Sequence, residues 1–269
     1  MKTIKIALVS QTKRLSAPEL VKVAAALNRQ LYEHFAPVWH IDAVVKPFPR
    51  SKRVPEDYWP ITVRDNIGDE GMMSFHSVKG KRPFVEVAYG ENWTLGASHD
   101  LLEMLVDPMI DRTVTAPSVV PGDRRSVKFP VQICDPCANP RNGYLIDGVL
   151  VADFSTQEYW YGSSTRKGKY SYTGALTKPF QVLRGGYLSW QDPKTKQWCQ
   201  KIWWGKKPEY QGPHTETTSS DEKDSGSIRV QLAGRVKFRM VILQDVYNAQ
   251  EANRMKIQTT VENLIQSFG

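Results

Sequence analysis

The stretch TLGASHDLLEMLVDP, residues 94–108, puts a histidine and three acids on a segment with helical apolar spacing. Residues four apart on an α-helix sit about 40° apart around its axis, so His99 and Glu103 point the same way. Leu101, Leu102 and Leu105 fall mostly on the other side, where a core would sit. An imidazole nitrogen and a carboxylate oxygen on one cleft-facing stripe suit a zinc ion. Asp100, beside the histidine, stands where a general base could take a proton from water whose pKa a metal lowers toward about 7. Asp107 precedes Pro108, and a residue before proline is steered out of the helical region. Its carboxylate has three open uses: a cap, a turn back toward the site, or a ligand. The full HExxH signature is absent, and an amphipathic helix carrying one histidine and a few acids needs no metal to explain it.

A second patch, VQICDPCANPRNGYLIDG (131–148), holds Cys134 and Cys137 in a lone C-x-x-C. With no second C-x-x-C, a structural zinc site would have to recruit Cys199 and His214 from elsewhere in the chain. The simpler reading is two buried thiols acting as small hydrophobes. Asp135, between them in a proline-containing turn, would suit a metal held by His99 and Glu103.

The segments SHDLLEMLVDP and QICDPCANPRNGYLIDGVLVADF are similar to a family of uncharacterised bacterial and phage-encoded proteins with S-H-E-L-L-E-M-L-x-D-P, then E-I-C-D-P-C-E and Y-E-I-D-G-V. More distantly they resemble the H-E-x-x-E-A-x-T-D-P and E-I-x-D-x-C pattern of exordium-like and secreted peptidase-like proteins, which are regarded as zincin-like from their helix motif. The resemblance covers roughly residues 60–155. It implies zinc as cofactor, His99 and Glu103 as ligands, Asp135 or Asp107 as a third, Asp100 as the proton shuttle, and a peptide substrate if the chain is active. Asp147 matches the aspartate of I-D-G. Two positions depart. Asp100 replaces the family's glutamate and loses about 1.5 Å of reach, a misplacement that can cost about a hundredfold in rate. Gln132 replaces another glutamate and removes a charge. Both departures weaken catalysis more than binding. The first expectation is therefore a phage- or prophage-associated, zincin-like metal-binding protein, a peptidase or its degenerate pseudoenzyme. The second is a virion structural or interaction protein that keeps the fold as a non-catalytic scaffold. The expected location is the cytoplasm of a bacterial host or the phage particle.

The elements that must position these groups read as β-α-β-β-β-α. IKIALV (4–9) is a strand. Ser16, Pro18 and Glu19 open a helix with a capping box. Leu20, Val23, Ala24, Leu27, Leu31 and Phe35 keep helical spacing until Pro37 ends it. VWHIDAVV (38–45), ITVRD (61–65) and RPFVEVAYG (82–90) read as strands, with the Pro-rich basic loop PFPRSKRVPEDYWP between the first two. The motif helix then runs from about Trp93 to Asp107. The expected fold is α+β: a zincin-like N-terminal half in residues 1–112, then a β-rich aromatic extension in 113–269. The extension contains a hairpin turned by Asp147-Gly148, a flexible polar loop near 212–227, strand-like sequence over 228–246 and a closing amphipathic helix.

Composition bounds the partners. Of 269 residues 41% are hydrophobic, enough for a substantial core. No apolar run approaches the roughly 20 residues of a membrane span, and the start lacks the apolar region and cleavage site of a signal peptide. Three cysteines fit a reducing compartment rather than a disulfide framework. The net charge of +8 comes from scattered Lys and Arg, without a dense stripe or a nucleic-acid motif. In the second half Tyr159, Trp160, Tyr161, Tyr170, Tyr172, Trp198, Trp203 and Trp204 lie near Arg166, Lys167, Lys169, Lys206 and Lys207 in the chain. Such a set can be core, an interface for a protein partner or a second copy, or a stacking surface for nucleic acid or glycan.

Overall fold

The structure is a computed structural model that describes residues 3–49, 54–68, 73–162 and 169–214. Strand β1 (Ile4–Ser10) is buried continuously from Ile6 to Ser10. Burial on both faces is what a central strand of a largely parallel sheet requires. It pairs in parallel with β2 (Ala43–Pro49) on one side and β3 (Tyr58–Arg64) on the other. Beyond β3 lies β5 (Arg82–Ala88), also parallel, and then β4 (Ser74–Lys79), antiparallel at the edge. The sheet order is β2-β1-β3-β5-β4. Helix α3 (Trp93–Val106) packs on β4 and β5.

Helix α1 (Ala17–Arg29) starts as its sequence suggests, with Ser16 Oγ accepting the Glu19 amide at 3.3 Å. Glu19 is turned elsewhere: its carboxylate accepts the Trp93 indole at 3.4 Å, linking α1 to the start of α3. Pro37 does not end the helix. The chain passes through a π-helical turn (Gln30–Phe35) into α2 (Ala36–Trp39). Pro37 directly follows the π-helical turn, in which the Ala36 amide reaches back five residues to the Leu31 carbonyl, and that wider turn lets the helical path run on through a residue with no N–H to donate. The stop comes at His40, in the left-handed region at φ 56°. Strand β2 accordingly begins at Ala43 rather than residue 38, and Trp39 is a buried helical residue whose indole donates to the Ser155 carbonyl at 3.0 Å. Strand β4 is an element the sequence pattern did not separate, so five strands rather than four precede α3.

The second sheet is antiparallel, in the order β12-β11-β10-β7-β6. Its strands are β6 (Thr113–Pro117), β7 (Ser126–Pro130), β10 (Tyr187–Gln191), β11 (Trp198–Ile202) and β12 (Glu209–His214). Between β7 and β10 lie the hairpin β8 (Tyr144–Ile146) with β9 (Val149–Val151), and the short helix α4 (Gln157–Tyr161). Asp147 and Gly148 turn the hairpin with φ 50° and 74°, the paired positive angles that a tight turn of this hand demands. The fold is mixed α+β. The main core joins Leu8 and Leu27 of the first layer to Leu101, Phe129, Phe154 and Trp190, and Ala7, Val9 and Tyr58 form a separate small cluster. Part of the aromatic set belongs to the main core, Tyr159 and Trp160; Trp198 is buried outside it, whereas Tyr161, Lys169, Lys206 and Lys207 are exposed. Residues 212–214 of the expected flexible loop belong to β12. The rest of that loop, the strands near 228–246, the closing helix, Arg166 and Lys167 lie outside the described residues. Among the described residues no helix is long and apolar enough to cross a membrane.

Candidate metal centre

The site is built where α3 lies against the edge strand. Gly96 allows the approach: a Cβ placed there would come within 2.8 Å of Ser74 Oγ and 3.2 Å of its Cβ. One strand repeat after Ser74, His76 projects from the same face of β4. Along the helix, Asp100 and Glu103 continue the stripe that Gly96 begins, four and seven residues on. His76 Nδ1 therefore lies 3.0 Å from Asp100 Oδ1 and 3.8 Å from Glu103 Oε2, and all three side chains are buried.

The same Glu103 oxygen is 3.4 Å from His99 Nε2, so the two residues share a stripe as their spacing predicts. His99 Nε2 is also 3.2 Å from Asp135 Oδ1. Asp135 arrives on a 3-10 turn (Asp135–Cys137) that the second sheet buttresses, with the Leu183 amide donating to the Pro136 carbonyl at 2.9 Å. Glu103 is fixed from that side too, since the Cys134 amide donates to its Oε1 at 3.1 Å. Behind His99, Ser98 Oγ donates to Gln30 Oε1 at 2.7 Å and accepts the Ala152 amide at 3.0 Å, locking α3 to the π-helical turn and to β9.

Two groups of donors result, His99–Glu103–Asp135 and His76–Asp100–Glu103, sharing the glutamate. Imidazole nitrogen and carboxylate oxygen are ordinary zinc ligands at about 2.0–2.2 Å, which places donors of a tetrahedral site about 3.3 Å apart. The separations of 3.2 and 3.4 Å around His99, and of 3.0 and 3.8 Å around His76, straddle that value. Burial alone would depress the His99 pKa. The negative charge of Glu103 and the hydrogen bond to Asp135 outweigh it and hold the imidazole well above its ordinary value. A cation entering there displaces a proton.

Of the residues the sequence singled out, His99, Glu103 and Asp135 come together. Asp100 is buried and faces His76. Asp107 is in neither group; its Oδ1 accepts the amides of Asp111 and Arg112 at 3.0 Å each, capping the chain as it leaves α3. Asp147 lies at the hairpin turn, 3.1 Å from Arg29 Nη1. Cys134 and Cys137 are buried free thiols, pushed far up in pKa first by burial and then by neighbouring acids, among them Glu103 and Asp135. His76 is the group that sequence reasoning missed. Its signal was a lone histidine in SFHSVK, an alternating run too polar to stand out as a strand. Comparison with known families finds no model that matches the chain, and neither curated proteins nor solved structures give a significant match.

Proposed function

We propose that the chain is a zincin-like metal-binding protein, associated with a phage or prophage, that holds a zinc ion through His99, Glu103 and Asp135. The observation that carries this reading is the meeting of three zinc-type donors from two separate elements, with His99 Nε2 3.4 Å from the Glu103 oxygen and 3.2 Å from the Asp135 oxygen. In this reading the helix supplies His99 and Glu103 one turn apart, and the Cys134 amide keeps Glu103 oriented. The turn closes the set with Asp135. Bound zinc supplies Lewis acidity. His99 keeps 18% side-chain exposure, so the set is reached from solvent on its side. The test is elemental analysis of the purified full chain: zinc is expected, and its loss in His99→Ala with the fold retained supports these ligands. A chain that takes up no zinc sinks the reading.

The engagement of Asp100 with His76 favours the scaffold use over hydrolysis. A proton shuttle must reach the substrate, and this carboxylate is buried against an imidazole. Asp100→Glu and wild type are therefore both expected to leave a casein or peptide-library substrate uncut in the presence of zinc. Turnover that Asp100→Glu raises would restore the peptidase reading.

A further inference from the structure

We propose that this centre binds two divalent cations rather than one, with Glu103 bridging an outer position at His99–Asp135 and an inner position at His76–Asp100. The inference rests on the metal-binding reading above and extends it to residues outside that ligand set. The juxtaposition is close to symmetrical. Each side offers one imidazole and one aspartate, and both histidines approach the same oxygen, Glu103 Oε2, at 3.4 and 3.8 Å. A carboxylate oxygen carries more than one lone pair and can serve two cations, and paired-metal sites place their ions about 3.5–4 Å apart.

Charge points the same way. Asp100, Glu103 and Asp135 are each at least nine-tenths buried, and buried carboxylates are tolerated when cations neutralise them. The competing reading of the inner side is a plain hydrogen bond between His76 and Asp100, and that competition is what an experiment must decide. Two imidazoles among the donors select zinc, manganese or ferrous iron over calcium or magnesium, which prefer all-oxygen shells. The two positions differ in access. His76, Asp100 and Glu103 are 1, 4 and 0% exposed, whereas the His99 side chain is 18% exposed. The inner ion is therefore the slowly exchanging one and the outer ion the labile one.

The experiment is metal stoichiometry on the full chain, stripped with a chelator, reloaded with Zn²⁺, dialysed and measured by elemental analysis. Wild type is expected to hold two ions per chain, one removed rapidly by a chelator and one slowly. His76→Gln should hold one ion, with the slow phase gone. Glu103→Gln should hold none while circular dichroism remains native. Reloading wild type with Mn²⁺ should give the exchange-coupled spectrum of a paired site, which needs no variant. One zinc per chain with uncoupled manganese overturns the second position and leaves the His99 site standing. No zinc at all overturns both. Two ions that His76→Gln does not alter would put the second ion elsewhere and also overturn the proposal.

Discussion

His76 Nδ1 and Asp100 Oδ1 lie 3.0 Å apart in the protein interior, joining β4 to α3 across 24 residues of sequence. Among the described residues β4 pairs with β5 alone within its sheet, so this contact and the Gly96 approach tie an edge strand to the helix. His76→Ala removes the imidazole from between two buried carboxylates and with it the contact to Asp100. Removing one partner of a buried hydrogen bond costs roughly 1–3 kcal/mol. Urea unfolding of the chelator-treated protein should show a loss of that order. A loss below about 1 kcal/mol would mean that the pair contributes nothing to holding the edge strand.

Gly186 leads into β10 directly against the turn that carries Asp135. A Cβ there would lie 2.3 Å from the Pro136 carbonyl oxygen and 2.8 Å from that of Asp135. Both obstacles are backbone, so the turn itself has to move. Gly186→Ala is expected to cost about 3 kcal/mol, the upper part of the range for overpacking. It should also weaken zinc uptake, because the displaced turn takes Asp135 with it. Calorimetry and zinc titration measure the two effects. Unchanged zinc affinity at lowered stability would show that Asp135 is not held by this contact.

These relationships mark where the sequence stops being informative. The His99–Glu103 stripe was legible because helix geometry is local: a four-residue spacing determines which side chains share a face. Asp147-Gly148 was legible for the same reason, since the turn's chemistry lies in two adjacent residues. His76 was not. Its partner lies 24 residues away, and pairing required knowing that Gly96 lets the helix approach Ser74. Pro37 misled because the π-helical turn before it lets the helical path run on through the proline, and that turn has no composition of its own. Asp107 held three roles open in sequence; the amides of Asp111 and Arg112 select the cap.

Acid should loosen the second sheet by a route that involves no metal. Arg125 joins Asp123, at the end of the β6–β7 connection, to Asp192 after β10. Asp123 is held far below the usual carboxylate range, first by its side-chain hydrogen bond from Arg125. Asp192 is lowered first by the amides of Thr195 and Lys194, with Arg125 adding to them. A carboxylate whose folded pKa is depressed stabilises the fold above its unfolded value, near 3.9. That contribution is lost as pH falls through the folded value. Asp192→Asn should therefore be less stable than wild type above about pH 5, with the gap closing below about pH 4. Denaturant midpoints measured between pH 2 and 7 test this; a gap that does not change with pH would assign the loss to geometry rather than charge.

Gln132 gives the sharpest separation between ligand and core. It is 4% exposed, and among the described residues neither its amide nitrogen nor its oxygen has a hydrogen-bond partner. A buried unsatisfied polar group costs about 1–3 kcal/mol, so Gln132→Met, close in volume, should raise stability by about 1–2 kcal/mol. Gln132→Glu runs the other way. Burial raises a carboxyl pKa, so the new group favours the folded state only while protonated. Its cost relative to wild type should grow as pH rises above its unfolded value, near 4.3, and be largest at neutral pH. Saturating zinc should leave that cost unchanged, because position 132 belongs to neither donor group. Rescue of Gln132→Glu by zinc would instead add this position to the ligand set and require the centre to be redrawn around it.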